Sequence, residues 1–210
     1  NLSAKAMFSP SSKTLMIQNG ETFDRDEIIT LAHHEIGVHL VTTENALRQP
    51  LNILRTGMPA YTYTQEGLAV LSELLTGKMK LKRLKEISLR VRAVRSMVRD
   101  FDFRTTFELL VDDCGLNIDE AFNVTTRAYR SGGFTKDFLY LRGFKKVYDL
   151  YNTNHGIDEL MTGKTAVEYL DTLLELKVRG ILKAPKYFPQ PFKKPKKISP
   201  ELAFLVGGLK

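Results

Sequence analysis

The sequence predicts an α+β fold that is mostly helical, with a small strand region near its N-terminus. Three observations predict it. Apolar residues recur at spacings of three and four over most of the chain. Several of those stretches open on a capping residue and close near a glycine. Only Thr14 to Gln18 alternates with the period of a strand, and it stops at the turn pair Asn19-Gly20. With 210 residues, 43% hydrophobic and 26% charged, the chain matches ordinary globular usage, which excludes wholesale disorder and fibrous repeats. Residues 1–210 contain no internal repeat and no interior linker, so they read as a single domain. No apolar run approaches the ~18 residues of a membrane span, and the single Cys114 allows no intrachain disulfide. The chain opens on Asn1 without an apolar signal region, so it reads as a fragment of a longer protein with a cytoplasmic setting.

Each helix has its own signal. Asp24, with Glu27 three residues on, forms a capping box that opens a helix through Ile28, Ile29, Leu31 and Ala32 toward Val41. Gln49-Pro50 and Gly57-Met58-Pro59 punctuate a loop, after which Thr64 can cap a helix through Leu68, Leu71 and Leu75 to Gly77. A long basic helix follows, with Leu84, Ile87, Val91, Val94 and Val98 on one side and arginines between them. Asn117 with Glu120 caps another, Thr135 to Tyr151 reads as the next, and Ala166 to Val178 closes at Gly180. From Lys183 to Lys197 four prolines and six lysines predict an extended basic surface segment, before a short helix near Pro200 to Val206.

The net charge of +7 is unevenly placed. Lys78 to Arg104 holds ten basic and three acidic groups, and Lys183 to Lys210 holds seven against one, on an otherwise slightly acidic body. Two basic zones suit an acidic partner, whether a peptide tail, nucleic acid or anionic lipid; a solvated helix face and a loose tail are the plainer reading.

The strongest chemical signal is His34-Glu35-Ile36-Gly37-Val38-His39. In the common H-E-x-x-H zinc helix the histidines are four apart, so at ~100° per residue they diverge by only ~40°. Here they are five apart and diverge by ~140° in a regular helix, too far to share one tetrahedral ion. Convergence requires the helix to loosen by one residue, as in a π-bulge with an i→i+5 bond, or to end before His39; Gly37 is the place for that distortion, because glycine weakens the regular helix by ~1 kcal/mol. A third ligand must come from elsewhere, and Glu66, placed in the first turn of the next helix within Gln65-Glu66-Gly67-Leu68-Ala69, is the candidate. Glu35 points to a different side from its neighbour His34 and suits a general base that takes a proton from water and passes it to a leaving nitrogen. A buried histidine pair on an amphipathic helix explains the same string without a metal, and His33 reads as a substitute ligand or as a packed neighbour.

HEIGVH at 34–39, QEGLA at 65–69, and Gly132-Gly133-Phe134-Thr135-Lys136-Asp137 followed by Tyr140-Leu141-Arg142-Gly143 together resemble the bacterial QEGLA-motif proteins. These flavohaemoglobin expression-modulating proteins are similar to the microtubule-associated tyrosine carboxypeptidases. The resemblance spans about Gly20 to Pro185. It implies a zincin-like metallopeptidase with Zn2+ held by His34, His39 and Glu66, and with Glu35 as the catalytic glutamate. It also implies a carboxypeptidase acting on a peptide or protein C-terminus, an acidic one in the eukaryotic relatives, which remove tyrosine from tubulin. Gln65 departs from the eukaryotic motif, which carries glutamate there, so exopeptidase logic rather than that substrate is what transfers. On the same resemblance Arg127, Arg130 and Arg142 are candidates to bind the substrate carboxylate. Lys136 and Tyr140, four apart and facing one way, are candidates to donate to the oxyanion. A salt bridge is the plain alternative for each arginine, a half-buried aromatic for Tyr140, and helix capping for Asp137. His155 reads as structural or exposed, and Cys114 lacks the setting of a nucleophile. The alternative function is a non-enzymatic regulator that binds nucleic acid or an acidic protein through the basic helix of 78–104.

Overall fold

The computed structural model describes residues 6–9, 11–130, 137–153 and 155–209. The chain divides into two compact units, residues 1–79 with 142–210, and residues 80–141. The first unit opens on a hairpin in which β1 (Ala6–Ser9) pairs antiparallel with β2 (Thr14–Ile17), Phe8 lying opposite Leu15. The sequence foretold β2. It did not show β1, which is too short to display alternation although Ala6 and Phe8 are buried.

Helix α1 (Arg25–His34) carries both halves of the predicted capping box: Asp24 accepts from the Asp26 and Glu27 amides, and the Glu27 carboxylate accepts from the Asp24 amide. Residues Glu35–Leu40 then widen into a π-helical turn, in which the Val41 amide donates to the Ile36 carbonyl. The helix resumes as α2 (Val41–Ala46), and the short α3 (Ile53–Thr56) turns the chain. Helix α4 (Tyr61–Leu75) starts one turn before the expected Thr64, after Ala60 in the left-handed region (φ 61°). Thr64 instead accepts a hydrogen bond from the Val167 amide, so Glu66 sits in the second turn rather than the first. Every residue of α4 from Thr64 to Leu75 is buried, which makes it the central helix of its unit.

The second unit is a helical cluster of α5 (Leu81–Val98), α6 (Phe103–Asp112) and α7 (Ile118–Tyr129). Ala93, Val94, Leu110, Leu116, Ala121 and Ala128 form its core. Asn117 caps α7 as expected. Helix α6, which the spacing left unassigned, is capped by Asp102 through the Thr105 amide.

Helix α8 (Asp137–Asn152) contributes to the first unit from Arg142 onward. There Gly143 packs on α4 so closely that a Cβ on Gly67 would lie 2.3 Å from the Gly143 carbonyl oxygen, and one on Gly143 would lie 2.0 Å from that of Tyr63. The glycine of the QEGLA string thus makes room for a helix backbone. The unit is completed by α9 (Ile157–Leu160), α10 (Leu170–Val178), α11 (Gln190–Lys193) and α12 (Pro200–Gly207). The Pro/Lys segment of 183–197 is extended except for the single turn α11, where Pro191 and Phe192 are buried. Buried Asn45 ties the Tyr187 backbone through its amide and carbonyl, and buried Gln49 does the same for Lys183. Among the described residues no helix is long and apolar enough to cross a membrane.

Candidate metal centre

The π turn determines where the histidines point. An i→i+5 bond sets residues five apart over one another, so the spacing that would separate His34 and His39 in a regular helix brings them together. Their rings lie edge to face with centroids 5.1 Å apart. Gly37, at the middle of the turn, has no steric need to be glycine: a Cβ there would meet nothing nearer than His33 Nδ1 at 3.4 Å. Its contribution is weak helix propensity, which lowers the cost of the wider turn.

Helix α4 supplies the carboxylate. Glu66 Oε2 lies 3.6 Å from His34 Nε2 and 3.9 Å from His39 Nε2. The ligand atoms of His34, His39 and Glu66 all fall within 4.8 Å of one another, so this group could hold a metal ion. Two imidazole nitrogens and one carboxylate oxygen, held mostly out of solvent, are the donor set of a metal site that keeps a further position open.

Glu73 completes the arrangement, and the sequence reading missed it. Its Oε1 lies 2.7 Å from His34 Nδ1, and both groups are buried. That contact fixes the ring and directs Nε2 toward Glu66. Glu73 stands seven residues after Glu66, two turns along the same face of α4, and is a charged residue inside an apolar run; that pattern was the available signal. Burial works against a charge on His34, but its hydrogen bonds to the Glu66 and Glu73 carboxylates, with their negative charge, outweigh it and hold its pKa up at about 10. Burial keeps His39 below the ordinary histidine range, against the pull of Glu66. A hydrogen bond with Gln65 also reaches His39. Gln65 in turn accepts from Thr42 Oγ1 at 2.7 Å and donates to the Gly163 carbonyl, which anchors the start of the QEGLA string. His33 is half-buried, and burial lowers its pKa; it lies outside the ligand group.

Glu35 is buried beside the cluster, with Oε1 4.0 Å from His34 Nε2. Its Oε2 accepts a hydrogen bond of 2.9 Å from the Phe8 amide of β1. No sequence signal pointed to that contact, because a backbone amide in a four-residue strand carries no side-chain signature.

The remaining candidates are distributed across the chain. Arg142 lies in the first unit, exposed, with its guanidinium 5.6 Å over the ring of Tyr63, three residues before Glu66. Arg127 lies in the second unit, its Nε donating to both carboxylate oxygens of buried Asp137 at 2.7 and 2.9 Å. Nearby Arg90 is pushed below the ordinary arginine range by burial, with Arg127 and Arg83 adding repulsion and Asp137 opposing it. Arg130 is the exposed C-cap of α7, and Tyr140 is half-buried on α8. Lys136 and the Gly132-Gly133 pair lie outside the described residues. His155 is exposed and Cys114 half-buried.

A helical scaffold that brings two histidines of one helix and a glutamate of the next into a single ligand group defines a candidate metal centre, with an acidic side chain beside it. The chain belongs to the microtubule-associated tyrosine carboxypeptidase family, whose match runs over residues 1–210. The family supports a hydrolase of the carboxypeptidase kind. No curated protein matches the chain.

Proposed function

We propose that residues 1–210 form one catalytic domain of a zinc-dependent metallopeptidase, a carboxypeptidase that removes C-terminal residues from a peptide or protein. The observation that carries this reading is the convergence of His34, His39 and Glu66 across a π turn. The family match supplies the reaction class. Bound by these three side chains, zinc supplies Lewis acidity, polarising the scissile carbonyl and bringing the pKa of water down to about 7.

The protein groups do the rest. Glu73 holds His34 in the tautomer that leaves Nε2 free to act as a ligand. Glu35, steadied by the Phe8 amide, accepts the proton of the attacking water and delivers it to the leaving nitrogen. Burial around the cluster strengthens each of these electrostatic contacts. Arg142 is the group proposed to hold the substrate's terminal carboxylate, since it is exposed, stacked on Tyr63 and borne by the same unit as the ligands. Arg127, Arg130, Lys136 and Tyr140 are proposed for substrate and oxyanion contacts on the strength of the motif alone.

The test is to incubate the protein with a mixed peptide set and follow the termini by mass spectrometry. Loss of single C-terminal residues, abolished by a chelator and restored by zinc, is the expected outcome. Glu35→Gln should keep its metal and lose about 10²- to 10⁴-fold in turnover. Full turnover in that variant would end the mechanism.

A further inference from the structure

The second unit carries a feature that the metal centre does not use. A cavity of about 350 Å³ opens between α5 and α6, within the size range of small-molecule sites. Its lining combines charged and apolar side chains. Arg92, Arg95 and Arg99 stand at spacings of three and four along α5, on one stripe of the helix, and all three are exposed. Val91 on the same helix, with Phe101, Leu109 and Leu141 from other elements, completes the lining with apolar side chains.

The charges on that stripe are poorly compensated. Arg92 reaches exposed Asp113 at 3.4 Å, and among the described residues Arg95 and Arg99 make no ion pair. Three like charges on adjacent turns repel one another, and an anion bound between them relieves that repulsion.

The backbone at Phe101 is fixed before any ligand arrives. Ser96 and Thr106 share a buried hydrogen bond of 2.7 Å, and Thr106 is bonded to the Tyr129 hydroxyl at 2.8 Å. That hydroxyl donates to the Phe101 carbonyl. The Phe101 amide donates to the Ser96 carbonyl and the Asp100 amide to that of Met97, with Asp100 in the left-handed region (φ 62°). The Phe101 backbone is thus held beside the cavity by the helix end and by a chain of hydroxyls. A polyanion tracking a basic surface needs neither a cavity nor an apolar wall. A small anion that bears an apolar group uses both.

We propose that this cavity binds a small amphipathic anion, a carboxylate or phosphate attached to an aryl or acyl body, with Arg95 and Arg99 holding the charged head and Phe101 and Leu109 the body. The site is independent of the metallopeptidase reading.

Titration calorimetry and amide chemical-shift mapping of the whole protein test it with three probes. Phenyl phosphate presents both features, inorganic phosphate only the charge, and benzyl alcohol only the ring. Phenyl phosphate is expected to bind at least about tenfold more tightly than either of the others, with shifts centred on Phe101 and Leu109. Arg95→Ala and Arg99→Ala, checked for an unchanged melting temperature, should each weaken it about tenfold or more, whereas Lys193→Ala should not. Equal affinity for phenyl and inorganic phosphate, shifts spread over the lysines of 183–197, or binding unaffected by Arg95→Ala would overturn the proposal. So would the absence of binding by phenyl phosphate at millimolar concentration. An acidic peptide that binds without displacing phenyl phosphate, while phenyl phosphate itself fails the arginine test, would assign the stripe to a protein partner instead.

Discussion

His34 sits between two carboxylates, Glu66 on its Nε2 side and Glu73 on its Nδ1 side, and this decides how it behaves with and without a metal. In the metal-free protein the folded pKa of about 10 lies above the ordinary 6.5, so the protonated ring stabilises the fold. That stabilisation is complete below 6.5 and is lost as pH rises through about 10. A metal must displace this proton, so affinity should climb with pH across the same interval, and uptake at pH 8 should release about one proton. Zinc titrations in buffers of different ionisation enthalpy read both quantities. Glu73→Ala in the same titrations should bind zinc about 10- to 100-fold more weakly, because the ring loses the acceptor that orients it. Affinity independent of pH would mean that His34 is not a ligand, and affinity unchanged by Glu73→Ala would mean that Glu73 does not position it.

At the scale of elements, two glycines beside the site do different jobs, and substitution separates them. A Cβ at Gly67 would collide with the Gly143 backbone at 2.3 Å, and neither helix backbone can yield without opening the contact. Gly67→Ala should cost about 1–3 kcal/mol in urea unfolding. Gly37→Ala meets only ordinary contact at 3.4 Å and should stay within about 1 kcal/mol of the parent. The reverse order would place the critical close approach at the π turn rather than between α4 and α8. The π turn itself was legible as one of two ways, the other being an earlier helix end, in which histidines five residues apart can converge. The start of α4 was not: Thr64 looked like a cap, but Ala60 and the preceding turn set the boundary, and the Thr64 hydroxyl was taken up by Val167. Helix α6 was missed although Asp102 and an apolar stripe mark it, because its flanks are charged and its length is modest.

Across the whole molecule, what the sequence made readable is what depends on local spacing: caps, apolar stripes, the two histidines, and a glutamate in a recognisable string. What it concealed depends on meetings between distant segments. Glu73 reaching His34, the Phe8 amide reaching Glu35, and Gly143 lying on Gly67 join residues whose pairing has no local cause. The basic tail shows the same limit. Its prolines and lysines read as a loose surface strand, yet buried Asn45 and Gln49 hold its backbone from 134 to 142 residues away in sequence. Asn45→Ala leaves the Tyr187 amide and the Met161 carbonyl without that partner, at a cost of about 1–3 kcal/mol. Limited digestion by a lysine-specific protease should then cut within 183–197 several-fold faster than in the parent, while unchanged cleavage would show that the tail is held by other contacts.

The central claim concerns three side chains and one ion. Metal content, measured by mass spectrometry on protein purified without chelator and reloaded with zinc, tests it most directly. About one zinc per chain is expected in the parent, and essentially none in His34→Ala, His39→Ala or Glu66→Ala variants that keep the parent's helical circular dichroism. One zinc per chain retained by folded His39→Ala or Glu66→Ala would contradict the account.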